Sequence, residues 1–320
     1  MKTTRVELHK HLVFTDVLDG KCIVTVGIGP AREAILLAVD PQDKGVPFGR
    51  DEQPGLASFP RSVADHPYPA TIIRLNYTLL SSIELPEIEA AFPFIQPLTE
   101  DSTLIVSGRC HYRNGNPEHN AVMYDQHGQA VRRMVFGDGI EDVQIGLDQR
   151  IWVSYFDEGV YGNFGWPNPP MGADGLLCFD MDGHIAWRFH APGGFGPIDD
   201  CYALNVASNA VWAYYYNSFP IVRITRNGEK QAWENTFAGA STIVVDFPRV
   251  LLWGGYRDAR ERCVVQTIDG DELVSPQHLT LCLPDGESLT GAKIIGRDSV
   301  LHAFVGTTWY QFDLRELPIP

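Results

Sequence analysis

Residues 140–189 decide the fold class, and they read IEDVQIGLDQRIWVSYFDEGVYGNFGWPNPPMGADGLLCFDMDGHIAWRF. Four short apolar or alternating segments stand out in this stretch, at 140–145, 151–155, 176–180 and 184–189. Three of them are rich in β-branched or aromatic residues, and polar turn residues separate them. A stretch of about 50 residues with this pattern predicts one four-stranded antiparallel sheet, the size of one propeller blade.

The third segment of this unit recurs along the whole chain. Each copy is an alternating strand, and successive copies are spaced by 49, 55, 45, 44 and 44 residues. The six copies end at Asn76, Asp125, Asp180, Thr225, Asp269 and Asp313. The second segments recur as well, with Trp152, Trp212 and Trp253 at matching positions, where we expect packing between neighbouring blades. This period predicts an all-β, six-bladed β-propeller with four antiparallel strands per blade, in a single domain that spans residues 1–320.

The last repeat lacks a fourth segment, because only residues 314–320 follow Asp313. Residues 5–14 precede the first repeat and have the pattern of a strand. We therefore expect this N-terminal strand to complete the last blade and to close the ring. Closure would leave no unpaired sheet edge between the first and last blades.

The segment around Trp152 also resembles a known repeat. Residues 148–153 (DQRIWV) are followed, after an insertion, by residues 175–180 (GLLCFD). This order resembles the bacterial regulator-propeller repeat, which is WD40-like and has an Asp-x-x-apolar-Trp-apolar strand and then Gly-Leu-x-x-aromatic-Asp. The resemblance covers one repeat well and the others loosely, and it implies a β-propeller scaffold. Because these are scaffold motifs, it does not carry a sensor function over to this chain.

The composition narrows the class of protein. The formal net charge is −15, so there is no surplus of Lys and Arg to neutralise nucleic-acid phosphates. The first ten residues lack an apolar signal region, and no apolar run approaches the roughly 20 residues that span a membrane. The six cysteines are widely spaced, which predicts reduced, mostly buried thiols. We therefore expect a cytoplasmic protein that binds neither nucleic acid nor membranes.

The strand order predicts where the functional residues lie. In an antiparallel blade with strands a to d, the b–c loop lies on the opposite face from the a–b and c–d turns. Nearly all long insertions in this chain are b–c loops, at 41–70, 108–120, 156–175, 215–220 and 255–262. They are therefore expected to share one face, and long loops on a rigid scaffold are where binding residues concentrate.

Two functions remain open for that face. The first is the binding of a protein, peptide or small-molecule ligand, because aromatic and Arg side chains are favoured at interaction hot spots. The candidate ligand-binding residues are Arg109, His111, Tyr155, Asp157, Glu158, Trp166, Tyr215, Tyr256 and Arg257.

The second function is a metal-dependent, lactonase-like hydrolase that acts at the central channel. Inner strands converge there, so Asp142, Asp199 and Asp200 are expected to lie close together and to bind Ca²⁺ or another divalent cation. The same carboxylates can instead cap turns or bind backbone amides. The sequence identifies no catalytic residue and no certain cofactor. A further metal candidate, whose spacing matches no standard zinc pattern, is the group Cys110, His111 and His119.

Overall fold

Strands dominate the structure, a computed structural model that describes residues 3–52 and 58–318. The chain divides into two compact units. The middle unit is Asp16–Phe189, and the terminal unit combines Met1–Thr15 with His190–Pro320. Each unit contains three main sheets, and these six sheets are the blades of a six-bladed β-propeller, which confirms the predicted fold class. The single domain expected over residues 1–320 stays a prediction.

The chain begins with two strands of the terminal unit, β1 (Thr4–Glu7) and β2 (His9–Val13), which the short helix α1 (Thr15–Leu18) follows. The strands of the middle unit are β3 (Cys22–Ile28), β4 (Ala34–Val39), β5 (Arg50–Asp51), β6 (Phe59–Pro60), β7 (Val63–Leu75), β8 (Leu79–Ala90), β9 (Pro93–Pro97), β10 (Ser102–Ser107), β11 (Tyr112–Arg113), β12 (Asn116–Pro117), β13 (Ala121–Asp125), β14 (Ala130–Met134), β15 (Ile140–Ile145), β16 (Ile151–Tyr155), β17 (Leu176–Phe179) and β18 (Ile185–Arg188). Between β16 and β17 lies helix α2 (Asp157–Tyr161).

The terminal unit continues with eleven further strands. They are β19 (Asp200–Val206), β20 (Ala210–Tyr216), β21 (Ile221–Thr225), β22 (Lys230–Trp233), β23 (Ala240–Asp246), β24 (Arg249–Gly254), β25 (Cys263–Asp269), β26 (Glu272–Cys282), β27 (Lys293–Arg297), β28 (Val300–Val305) and β29 (Thr308–Asp313). Short 3₁₀ turns occupy Pro41–Asp43, Val46–Phe48, Arg257–Ala259 and Leu314–Glu316. Within the described ranges, no helix has the length and apolar character needed to cross a membrane.

The sheets follow the predicted meander. In the middle unit the strand orders are β3-β4-β7-β8 (blade 1), β9-β10-β13-β14 (blade 2) and β15-β16-β17-β18 (blade 3). In the terminal unit they are β19 to β22 (blade 4), β23 to β26 with β1 added (blade 5), and β27-β28-β29-β2 (blade 6). The long connections follow the second strand of blades 1 to 5, as predicted. The first is shorter than the expected 41–70, because β7 begins at Val63, and residues 53–57 of it lie outside the described residues.

Alternating apolar residues build the core between successive blades of each unit. One cluster of buried side chains joins blades 2 and 3, and a second joins blades 1 and 2. In the terminal unit, Trp212 lies in the cluster between blades 4 and 5, and Trp253 packs against the cluster between blades 5 and 6. The six cysteines are free thiols, and all except the partly exposed Cys22 are buried.

The recurring Asp at the end of the third strand caps a tight turn. Asp125 and Asp180 each accept two hydrogen bonds, at 2.8 to 2.9 Å, from the backbone N–H groups two and four residues later. These bonds hold the pKa of each carboxyl below its ordinary value. Gly128 and Gly183 adopt the positive φ that each turn requires. The feature that reveals the repeat in the sequence is therefore a turn cap.

The N-terminal segment serves two blades. Strand β2 pairs antiparallel with β29 and supplies the fourth strand of blade 6, which confirms that the N-terminal segment completes the last blade. Strand β1 pairs in parallel with β26, so blade 5 has a fifth strand that the sequence pattern does not predict. Leu8, between the two strands, is 1% exposed and packs into the core between blades 5 and 6.

Candidate functional site

In the middle unit, the b–c loops of blades 2 and 3 meet around a buried arginine. Arg109 follows β10 and is 4% exposed. Its Nε and one terminal nitrogen donate to the two carboxylate oxygens of Asp138, at 2.9 and 3.0 Å, and the same terminal nitrogen donates to Glu158 Oε2 at 2.5 Å. Asp138 also accepts from the backbone N–H of Cys110 at 2.8 Å. We call these side chains the Arg109 network. Its hydrogen bonds hold three chain segments together. Loss of one partner would leave a buried charge without its counter-charge.

Aromatic rings cover the Arg109 network. The guanidinium carbon of Arg109 lies 4.1 Å from the centroid of the Phe164 ring, a cation–π contact that burial strengthens. The ring of His111 meets the same Phe164 ring at 4.2 Å, edge to face. Trp166 Nε1 donates to the carbonyl of Cys110 at 2.7 Å. These contacts attach loop 156–175 to loop 108–120.

Burial keeps two side chains of this region uncharged. It raises the pKa of the Cys110 thiol, with a smaller contribution from Glu118, and the neutral thiol donates to the carbonyl of Glu118 at 3.3 Å. Burial, together with the positive charge of Arg113, lowers the pKa of His111. The proposed metal group of Cys110, His111 and His119 is not assembled. In residues 3–52 and 58–318, only Asp180, Asp182 and His184 bring three potential ligand atoms within 4.8 Å of one another.

The structure corrects two of the predicted binding residues in the middle unit. Tyr155 is 0% exposed and its hydroxyl donates to the carbonyl of Phe136 at 2.5 Å, so it cannot contact a ligand. Arg109 is buried in its ion pairs and is a loop organiser instead of a surface anchor. Asp157 is exposed at the start of α2, and Glu158 is half-buried.

The terminal unit has a different arrangement at its b–c loops, an aromatic cluster formed by Tyr202, Tyr214, Tyr216, Phe219 and Tyr256. The centroids of the contacting rings lie 5.6 to 6.4 Å apart. These separations are those of attractive stacked and edge-to-face pairs. Tyr216 and Tyr256 are 47% and 48% exposed, whereas Tyr214 is fully buried beneath them. The cluster therefore presents ring surface to solvent on a buried support.

Hydrogen bonds and backbone geometry fix the aromatic cluster. The hydroxyls of Tyr256 and Tyr202 lie 3.0 Å apart. The Tyr214 hydroxyl donates to the carbonyl of Phe237 at 2.6 Å and accepts from the backbone N–H of Ala240 at 3.2 Å. Gly239 has a φ of +77°, and a Cβ there would lie 2.8 Å from the Tyr256 ring. The cluster is consequently built before any ligand arrives.

Of the residues predicted in the terminal unit, Tyr256 belongs to the aromatic cluster and Arg257 lies exposed beside it. Tyr215 does not belong to the aromatic cluster, because it is 0% exposed on the opposite side of β20. Its hydroxyl donates to the carbonyl of Gly196 at 3.0 Å. The sequence prediction missed Tyr202, Tyr216 and Phe219. Strand alternation was the available signal for Tyr216, since residues 214 and 216 share a side of the strand that 215 does not.

The carboxylates predicted to bind a cation have local partners. Asp142, in the middle unit, accepts from the backbone N–H of Val143 at 2.8 Å and from Gln144 Nε2 at 3.0 Å. Asp199, in the terminal unit, has Asn217 Nδ2 3.5 Å from its Oδ2. The contacts of Asp142 match the backbone-binding alternative, and the shared cation site of Asp142, Asp199 and Asp200 stays a prediction.

The middle unit also contains a cavity of about 290 Å³ beside β8 and β13. Its acidic, basic and histidine lining residues are Glu87, Glu89, Glu118, His119 and Arg133. The lining offers both signs of charge without a dominant apolar surface, so it selects no single class of ligand.

The chain is similar to one family model and to several solved structures. A family model described as the YxzG family matches residues 176–312, which is less than half of the chain. No curated protein matches significantly. Among solved structures, a virginiamycin B lyase from Staphylococcus aureus is 10% identical over 95% of this chain and 98% of that one, with a TM-score of 0.40. A gluconolactonase from Xanthomonas campestris is 11% identical over 98% and 99%, at 0.41. A PQQ-bound aldose sugar dehydrogenase from Streptomyces coelicolor is 13% identical over 98% and 96%, at 0.43.

Proposed function

We propose that this chain is a ligand-binding β-propeller and that the aromatic cluster of the terminal unit is its binding surface. The observation that carries the proposal is the pair of half-exposed rings, Tyr216 and Tyr256, held on the buried Tyr214 and the partly buried Phe219. Tyrosine offers a large contact area at a small loss of side-chain entropy, and it is enriched at binding hot spots.

The rigidity of the aromatic cluster supports the same proposal. Binding by a mobile side chain loses conformational entropy, and a side chain that is already fixed avoids that loss. Tyr256 is fixed by the hydroxyl of Tyr202 and by its close packing on Gly239. The Arg109 network, in contrast, has its hydrogen-bonding groups engaged internally, so it supports the loops and leaves fewer groups for a ligand.

The test is a thermal-shift screen of the full chain against a library of small molecules and short peptides. A ligand at about 100 times its Kd stabilises the folded state by about 2.7 kcal/mol and raises the melting temperature. This increase should be lost in Tyr256→Ala and retained in Tyr77→Ala, a control at a tyrosine that is 74% exposed in the middle unit. A ligand that stabilises Tyr256→Ala as strongly as the unaltered chain would overturn the proposal.

A further inference from the structure

The packing of the aromatic cluster limits what it can bind. Tyr202, Phe219 and Tyr256 form a triangle with centroid separations of 6.1, 6.2 and 6.4 Å. Rings this close touch one another, so no ring-lined hole remains between them for an alkylated ammonium group. The cluster instead offers the outer faces and edges of Tyr216 and Tyr256. A ligand must therefore lie on a platform, and a flat ligand face suits it best.

The charges beside the platform do not select an ionic ligand. The carboxylate of Asp200 lies near the Tyr202 phenol, and Arg257 is exposed next to Tyr256. Charges of both signs therefore border the rings, while the chain as a whole has a formal net charge of −15. A neutral ligand needs no net charge on the surface that binds it.

Polar groups border the platform and favour a ligand that has hydroxyls. Burial and the Tyr256 hydroxyl raise the pKa of Tyr202, so its phenol stays protonated near neutral pH. A phenol hydroxyl can donate as well as accept a hydrogen bond. A ligand that has hydroxyls can form hydrogen bonds with these phenols, whereas a purely apolar ligand cannot.

We infer that the aromatic cluster binds a neutral carbohydrate, with the C–H face of a sugar ring on Tyr256 or Tyr216 and the ring hydroxyls at the phenol hydroxyls beside it. A sugar ring combines a flat apolar face with a polar edge, and the platform has the complementary pattern. This inference rests on the proposed function, because it names the ligand class of the same surface.

The experiment titrates the full chain with neutral hexasaccharides (maltohexaose, cellohexaose and chitohexaose) by isothermal calorimetry. At least one should bind saturably. Tyr256→Ala and Tyr216→Ala should each weaken the Kd about tenfold or more, as expected when a hot-spot ring is removed. Tyr256→Phe keeps the ring and removes the hydroxyl, so it should retain more affinity than Tyr256→Ala. Tyr77→Ala should bind like the unaltered chain.

The outcomes separate the two claims. If no hexasaccharide binds, while a peptide or another small molecule from the thermal-shift screen binds in a way that depends on Tyr256, the carbohydrate inference is wrong and the proposed function stands. If a hexasaccharide binds equally to Tyr256→Ala, Tyr216→Ala and the unaltered chain, it binds elsewhere on the protein. Both claims are then wrong, because each places the ligand on the aromatic cluster. If nothing binds through Tyr256 in either experiment, both fail.

Discussion

The Arg109 network and the aromatic cluster lie at the ends of the same kind of strand, the second strand of a blade, and yet they do different work. Arg109 and Asp138 are 4% exposed and satisfy each other with two hydrogen bonds. Tyr216 and Tyr256 remain about half-exposed on a buried support. The sequence offers arginines, carboxylates and aromatic rings at both places. The difference teaches that residue type alone does not distinguish a loop organiser from a surface that is open to a ligand, whereas burial and internal pairing do.

The two regions also depend on different parts of the chain. The blades around the Arg109 network draw all their strands from residues of the middle unit, whereas the terminal unit needs β1 and β2. Deleting residues 1–14 should expose the edges of β26 and β29 and make the protein insoluble, the largest effect expected here. Deleting residues 1–3, which lie before β1, is the control and should leave it soluble. Soluble yield and circular dichroism measure the result, and a folded, soluble 1–14 deletion would contradict the role of these strands.

Replacing Arg109 by Met should cost about 3–5 kcal/mol of unfolding free energy, because Asp138 would keep a buried charge without its partner. Arg113→Met is the matched control, since Arg113 is an exposed arginine of the same loop whose ion pair with Glu118 is long, at 3.9 Å. Its loss should cost about 1 kcal/mol or less. Urea unfolding measures both. Equal costs for the two substitutions would show that the Arg109 network is not the loop organiser described above.

Gly239→Ala probes the support of the aromatic cluster. The new methyl group would have a positive φ and would contact the Tyr256 ring, so we expect a loss of about 1–3 kcal/mol and a displaced ring. Gly193→Ala is the control, because a Cβ there meets no atom within 4 Å. Urea unfolding gives the stability, and ligand titration of the same variant reports the displacement. A variant with unchanged stability would mean that the ring adjusts without strain.

Most of the fold could be predicted from the sequence because the repeat has a local cause. The third strands of blades 2 and 3 end in an aspartate that caps the following turn, Asp125 and Asp180, so the spacing of these repeats is visible without any tertiary contact. The parallel pairing of β1 could not be predicted in this way. Residues 5–14 look like one strand, and the change of sheet at Leu8 depends on where the core between blades 5 and 6 accepts its side chain.

The aromatic cluster was harder to predict than the fold. The pairing of β19 with β20 shifts register between Cys201 and Ala203, so Tyr202 is the extra residue of a β-bulge. A bulge redirects a side chain in a way that simple alternation does not show. The same irregularity recurs in the first strands of blades 1, 3 and 5. Tyr155 and Tyr215 were predicted as ligand-binding residues, but both are buried. A tyrosine at a strand end looks the same in the sequence whether its ring faces the core or the solvent.

The smallest expected effect is a change in the free energy of unfolding with pH, caused by His111 in the Arg109 region. His111 lies in the Arg109 region, where burial and Arg113 lower its pKa, whereas Glu118, Asp138 and the Phe164 backbone act in the opposite direction. Below the ordinary histidine pKa of about 6.5, the unfolded chain takes up a proton that the folded chain does not yet bind. The free energy of unfolding should therefore fall as pH decreases from about 6.5 towards the folded pKa of His111, and the fall should be smaller in His111→Gln. Urea unfolding at about pH 7.5 and about pH 5.5 measures this difference, and NMR titration of the His111 ring gives its pKa directly. A His111 pKa at or above about 6.5 would show that the carboxylates outweigh burial at this position.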